Sequence, residues 1–130
     1  MSKLKYSGGV LIVLCAIVLI FRLTHVSKKE ISWDVLGYYL YLPATFIQHD
    51  PMLQDITWLK KLNKEQNLTG TLYQLSSNDK GDPMYFFFMG MAFFYFPFFI
   101  LGYGYSLFSG YPLDGFSSPF QYSLVLGGII

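Results

Sequence analysis

The sequence is poor in charge, with only 13% Asp, Glu, Lys and Arg over 130 residues, and what charge it has is unevenly placed. Soluble domains carry about a quarter charged residues. Sixteen of the seventeen charged side chains lie at or before Asp82, and only Asp114 follows. The net charge of +1 excludes a strongly basic nucleic-acid binder, which needs clustered Lys and Arg with little acid nearby. A single cysteine, Cys15, excludes an internal disulfide and a cysteine metal site, and its setting between Leu14 and Ala16 suits a small apolar side chain. His25 and His49 are too isolated to suggest a metal centre, so the sequence neither requires nor excludes a divalent metal.

What is abundant is apolar and aromatic: 53% hydrophobic, 20% Phe, Trp and Tyr. Charges serve as the ruler for membrane spans, because a side chain that needs water is costly at mid-bilayer. The gap between Lys5 and Arg22 predicts a first span over about 7–26, if Arg22 extends its guanidinium towards the headgroups. No Ala-x-Ala site follows it, which favours an uncleaved anchor over a removed signal. Pro83 to Leu113 carries no charge and predicts a second span over about 84–108, kinked at Pro97, with Gly90, Ala92, Gly102 and Gly104 available for close helix approach. A turn-rich stretch from Tyr111 to Pro119 leads into a third apolar segment, about 119–130, that reads as the start of another helix.

Between the first two spans lies a wet loop, about 27–82, with six lysines and seven acids. Ser32 as N-cap and Asp34 in the first turn predict a helix over about 33–48, bent at Pro43 and rich in tyrosines that suit a membrane interface. Asp50-Pro51 reads as a second helix start, with an amphipathic pattern over about 51–66. Thr71 to Leu75 is a short strand candidate before the turn residues Ser76 to Pro83. These elements predict an all-α integral membrane protein, with transmembrane helices, a first loop containing interfacial helices, and a place at the amino end of a larger polytopic bundle; the positive charges on the two sides of the first helix nearly balance and leave its orientation open.

The most informative stretch is Trp33 to Pro43, which places one carboxylate, Asp34, at the head of an aromatic helix beside the first span. An acid there is suited to take a proton from an attacking hydroxyl or to hold a metal, while Tyr38 and Tyr39 contact a substrate carried on a lipid. An acid in a first helical turn also complements the helix dipole without any catalytic role, and both readings stay open from the residues alone.

The order of a short amino-terminal anchor, an aspartate followed by Tyr38-Tyr39 and Leu42-Pro43, an aromatic second span with Gly90 and Pro97, and then Asp114-Gly115-Phe116-Ser117-Ser118-Pro119-Phe120-Gln121 resembles the amino-terminal region of bacterial GT-C-type membrane glycosyltransferases. These include protein mannosyltransferases and lipid A aminoarabinose transferases. The resemblance implies transfer of a sugar from a polyprenyl-phosphate donor to an acceptor hydroxyl, with Asp34 as general base or organiser of the site. It also implies a bacterial plasma membrane location with the first loop outside the cytoplasm and, as partners, membrane lipid and the lipid-linked donor. Many members of that family carry two adjacent acids, whereas Val35 follows Asp34 here, and no basic residue is assignable to the donor phosphate. The sequence leaves the oligomeric state open. A non-enzymatic membrane scaffold or assembly subunit is the competing reading. A transporter is disfavoured because no ionisable group lies in the second span.

Overall fold

A computed structural model describes residues 2–25 and 29–128. Helix α1, Ser2–Thr24, is continuous through the amino-terminal apolar run. Its side chains from Val10 to Phe21 are largely uncovered, Ile12 by 71%. Arg22, in its last turn, reaches Glu30 with Nη2 to Oε2 at 2.9 Å. The expected end of this helix at Val26 lies outside the described residues.

Helices α2, Trp33–Tyr39, and α3, Tyr41–Phe46, replace the single bent helix expected over 33–48. Pro43 explains the break. It has no N–H to offer the Tyr39 carbonyl four residues earlier, so the regular ladder stops at Tyr39 and restarts one residue on. Ser32 does occupy the N-cap position of α2 with extended backbone, but its hydroxyl makes no cap bond and donates instead to the Lys29 carbonyl at 2.6 Å.

Helix α4, Thr57–Gln66, begins six residues later than Asp50-Pro51 suggested. The Asp50 carboxylate accepts the Asp55 N–H at 2.9 Å, closing a turn instead of opening a helix. Leu53, with φ +55°, then drops completely into the core. Asp55 closes a further turn just ahead of the helix, with Oδ1 accepting the Thr57 N–H at 2.8 Å, and Ile56 holds the N-cap position without a side-chain cap bond. Leu59 on α4 is buried while Lys60, Lys61 and Lys64 face out.

Two strands follow, β1, Leu75–Ser77, and β2, Pro83–Tyr85, paired antiparallel with Ser76 opposite Met84. The Asn78 side chain ties their turn: Oδ1 accepts the N–H groups of Lys80 and Asp82, and Gly81 adopts φ +85°. This hairpin overturns the expectation of an all-α protein. It also draws Met84 and Tyr85 out of the expected second span, and helix α5, Gly90–Ser109, starts at Gly90 instead of 84.

Helix α5 is long and apolar enough to cross a membrane, and among the described residues no other helix passes that test. The apolar part of α1, Ser7–Arg22, is too short, and α6, Ser118–Gly127, has ten residues where a crossing needs about 20. The expected all-α multi-span bundle is therefore corrected to mixed secondary structure with one membrane-length helix among the described residues.

Packing joins these pieces around α5. Gly102 lets α6 approach: a Cβ there would lie 3.0 Å from the Phe120 Cα and 3.1 Å from the Ser123 hydroxyl. Helices α2 and α3 cross the same helix, with Tyr39 against Tyr95 and Phe99, and Phe46 against Phe96 and Phe99. The turn before α6 folds onto α3, where Gly115, at φ +81°, sits so close to Pro43 that a Cβ would come within 2.8 Å. Tyrosine helices read from the sequence as lying along a membrane interface are thus packed against α5 and the turn before α6.

Candidate functional site

Asp34 lies in the first turn of α2 and is exposed. Its Oδ1 accepts a 2.6 Å hydrogen bond from the Tyr73 hydroxyl, which approaches from 39 residues away. Oδ2 has no protein partner among the described residues. The Tyr73 phenol is held above its ordinary pKa, first by this hydrogen bond to the carboxylate and then by burial and the negative charge of Asp34. The exposed indole of Trp33 lies with its ring centre 6.4 Å from that of Tyr73. One carboxylate oxygen, two aromatic faces and open solvent therefore meet at this corner.

The backbone leading to Asp34 is fixed from three directions. Trp33, with φ +51°, turns the chain into α2 through a conformation that non-glycine residues adopt at a cost. Its N–H donates to the Leu68 carbonyl at 3.3 Å, and its carbonyl accepts from Gln74 Nε2 at 2.9 Å. Two residues earlier, the Ile31 N–H donates to Gln121 Oε1 at 2.8 Å, while Gln121 Nε2 donates to the Phe116 carbonyl at 3.0 Å. Both glutamines are buried. A buried amide used in this way satisfies backbone groups that neither helix nor sheet can reach. Asn63 holds the Leu68 side of the clamp, exchanging two hydrogen bonds with the Thr69 backbone at 2.9 and 3.1 Å.

The two tyrosines proposed to contact substrate part company. Tyr38 lies four residues after Asp34, one helical turn along the same side of α2, half-buried with its ring edge-on to Phe87 at 4.7 Å. Tyr39 is fully buried, and its hydroxyl donates to the Gly115 carbonyl at 2.6 Å. Burial first, and then the charge of Asp114, hold the Tyr39 phenol well above its ordinary pKa, so it stays neutral. Its contacts belong to the core and its ring meets no open surface. A further aromatic pair braces α3: Tyr41 stacks on Tyr85 with centroids 3.8 Å apart and donates to the Phe87 carbonyl at 2.6 Å.

Tyr73, Gln74 and Gln121 were not singled out as site residues by sequence reasoning. Gln74 falls in the strand candidate and Gln121 at the end of the Asp114 stretch, but neither position carries a local signal that it will meet residues 31–33. Among the described residues no three His, Cys, Asp or Glu side chains gather as a metal-binding group. No protein-family model matches the chain, and no curated protein or solved structure matches it.

Proposed function

We propose that the chain forms part of a membrane glycosyltransferase that moves a sugar from a polyprenyl-phosphate donor to an acceptor hydroxyl, with Asp34 as general base. The observation that carries this reading is the Asp34 corner: an exposed carboxylate with one oxygen engaged by Tyr73 and the other open. In this role Tyr73 fixes the rotamer through Oδ1, and Oδ2 receives the proton from the attacking hydroxyl. Trp33 and Tyr73 offer aromatic faces to the apolar side of a sugar ring, and Tyr38 lies one helical turn away. Tyr39 serves by holding α2 against the Gly115 turn, without touching substrate.

The location that goes with this function is a bacterial plasma membrane with the segment between α1 and α5 on the outer face. A donor with a membrane-buried tail presents its sugar phosphate at that boundary. The helix α5 and the uncovered apolar side chains of α1 supply the membrane attachment.

The deciding experiment is Asp34→Asn in the intact protein, assayed in its native membrane with a labelled polyprenyl-phosphate sugar. Loss of a general base typically costs about 10²–10⁴ in rate, so transfer should fall at least a hundredfold with membrane abundance unchanged. Undiminished transfer by this variant would sink the assignment and favour a non-enzymatic scaffold in which Asp34 only orients Tyr73.

A further inference from the structure

Trp33 is the exposed tryptophan of the chain, with 60% of its surface open, yet both of its peptide groups are held. Its N–H donates to the Leu68 carbonyl and its own carbonyl accepts from the buried Gln74 amide. At φ +51° it also carries backbone strain, which gathers at ligand clamps. An indole that only anchored the chain at a membrane interface would need no such fixation. The indole lies beside the Tyr73 ring, with centroids 6.4 Å apart and planes inclined at 36°, and Tyr73 is itself 39% exposed. The Tyr73 hydroxyl donates to Asp34 Oδ1, so this second ring is tethered too. Asp34 is exposed, and neither salt bridge among the described residues uses it.

We propose that this corner binds a quaternary ammonium group, with the cation lying over the indole and phenol faces in the field of Asp34. The ring faces carry the negative side of the aromatic quadrupole, and the carboxylate beside them adds charge of the same sign. The corner therefore attracts cations and repels phosphate and carboxylate groups. Oδ1 is engaged by Tyr73, which removes the two-oxygen seat that a guanidinium uses best. A primary ammonium is compact and strongly hydrated, and an exposed corner gives little in return for that water, whereas a trimethylammonium presents methyl groups to the rings. A trimethylammonium also has no N–H to donate, so it leaves Oδ2 open. The site thus goes beyond sugar transfer and does not compete for the oxygen assigned there to the proton. Free choline and the headgroup of a choline lipid share this group, and the measurement separates them.

The test is saturation-transfer NMR on the intact protein purified in a maltoside detergent, with no sugar donor present. It reads the methyl protons of choline, of phosphocholine and of the neutral carbon isostere of choline, in which a tert-butyl group replaces trimethylammonium. Choline, phosphocholine or both should bind about fivefold or more tightly than the isostere. Tighter binding of choline identifies a free molecule as the source, and tighter binding of phosphocholine identifies a lipid headgroup. Asp34→Asn should bring cation and isostere close to parity. Trp33→Leu should lose the signal, while Trp33→Phe, which keeps an aromatic face on the same turn, should retain most of it. Equal binding of the isostere, no transfer to either cation, an Asp34→Asn protein that still prefers the cation, or a Trp33→Leu protein that binds as wild type would each overturn the site. Because binding is read without donor, these outcomes stand apart from any loss of sugar transfer in Asp34→Asn.

Discussion

Tyr38 and Tyr39 are adjacent in sequence and opposite in fate, which is the clearest lesson at the scale of single residues. Consecutive positions on a helix point about 100° apart, so only one of a pair can follow Asp34 towards solvent while the other turns inward. The inward residue has a measurable structural value. Tyr39→Phe removes the donor to the buried Gly115 carbonyl and leaves that acceptor unpaired, so it should lower unfolding stability by about 1–3 kcal/mol while ring packing against Phe99 and Phe116 survives. Denaturant unfolding in detergent micelles reads this, and an unchanged midpoint would mean that the hydroxyl bond contributes nothing. What sequence reasoning made visible here was the acid and the aromatic excess. What it missed was direction, because the order of residues fixes neighbours along the chain but not which face of a short helix the rest of the molecule will cover.

Among the elements, the segment from Asp50 to Gln66 shows how a correct ingredient can be given the wrong task. Asp50 and Pro51 have the chemistry of a helix start, yet the carboxylate closes a turn and the helix waits until Thr57. Backbone N–H donation from Asp55 and then Gln54 lowers the Asp50 pKa, and hydrogen bonds from Thr57 lower that of Asp55. A folded-state carboxylate with a lowered pKa binds fewer protons than the unfolded chain, so its stabilisation is present above the ordinary value of 3.8 and is lost as pH falls through the lowered values. Amide protection over residues 50–66, taken relative to the intrinsic exchange rate at each pH, should therefore fall below that pH, and Asp55→Asn should weaken the acid response. Protection in this segment that stays constant to pH 2 would contradict the assignment of these two carboxylates as turn-closing groups. The hairpin teaches a related point: Met84-Tyr85 is apolar enough to be read as membrane helix, but pairing with Leu75–Ser77 across the Asn78 turn satisfies its backbone in extended form.

For the whole molecule, the charge map correctly separated a membrane-length helix from a polar segment, because the cost of moving charge out of water is legible residue by residue. It predicted more membrane-length helices than the one found among the described residues, since a gap between charges measures length without reporting whether the backbone within it is helical or whether other chain segments pack on it. The location proposed for the polar segment has a direct check. With Cys15 replaced by Ser, a cysteine introduced as Lys61→Cys on the exposed side of α4 should react with a membrane-impermeant maleimide in intact cells. Reaction only after the membrane is broken would place that segment on the inner side and invert the proposed orientation.

The clamp around Ile31 to Trp33 also sets an order of events during synthesis. Gln121 bonds to Ile31 across 90 residues, and Gln74 reaches Trp33 across 41. Contacts of such separation form late, because the intervening chain must first be closed into a loop. While a nascent chain is being made, Asp34 emerges before α6, and the backbone leading to it acquires its last anchor only when Gln121 is in hand. The proposed catalytic residue is thus synthesised ahead of the element that finishes placing its backbone.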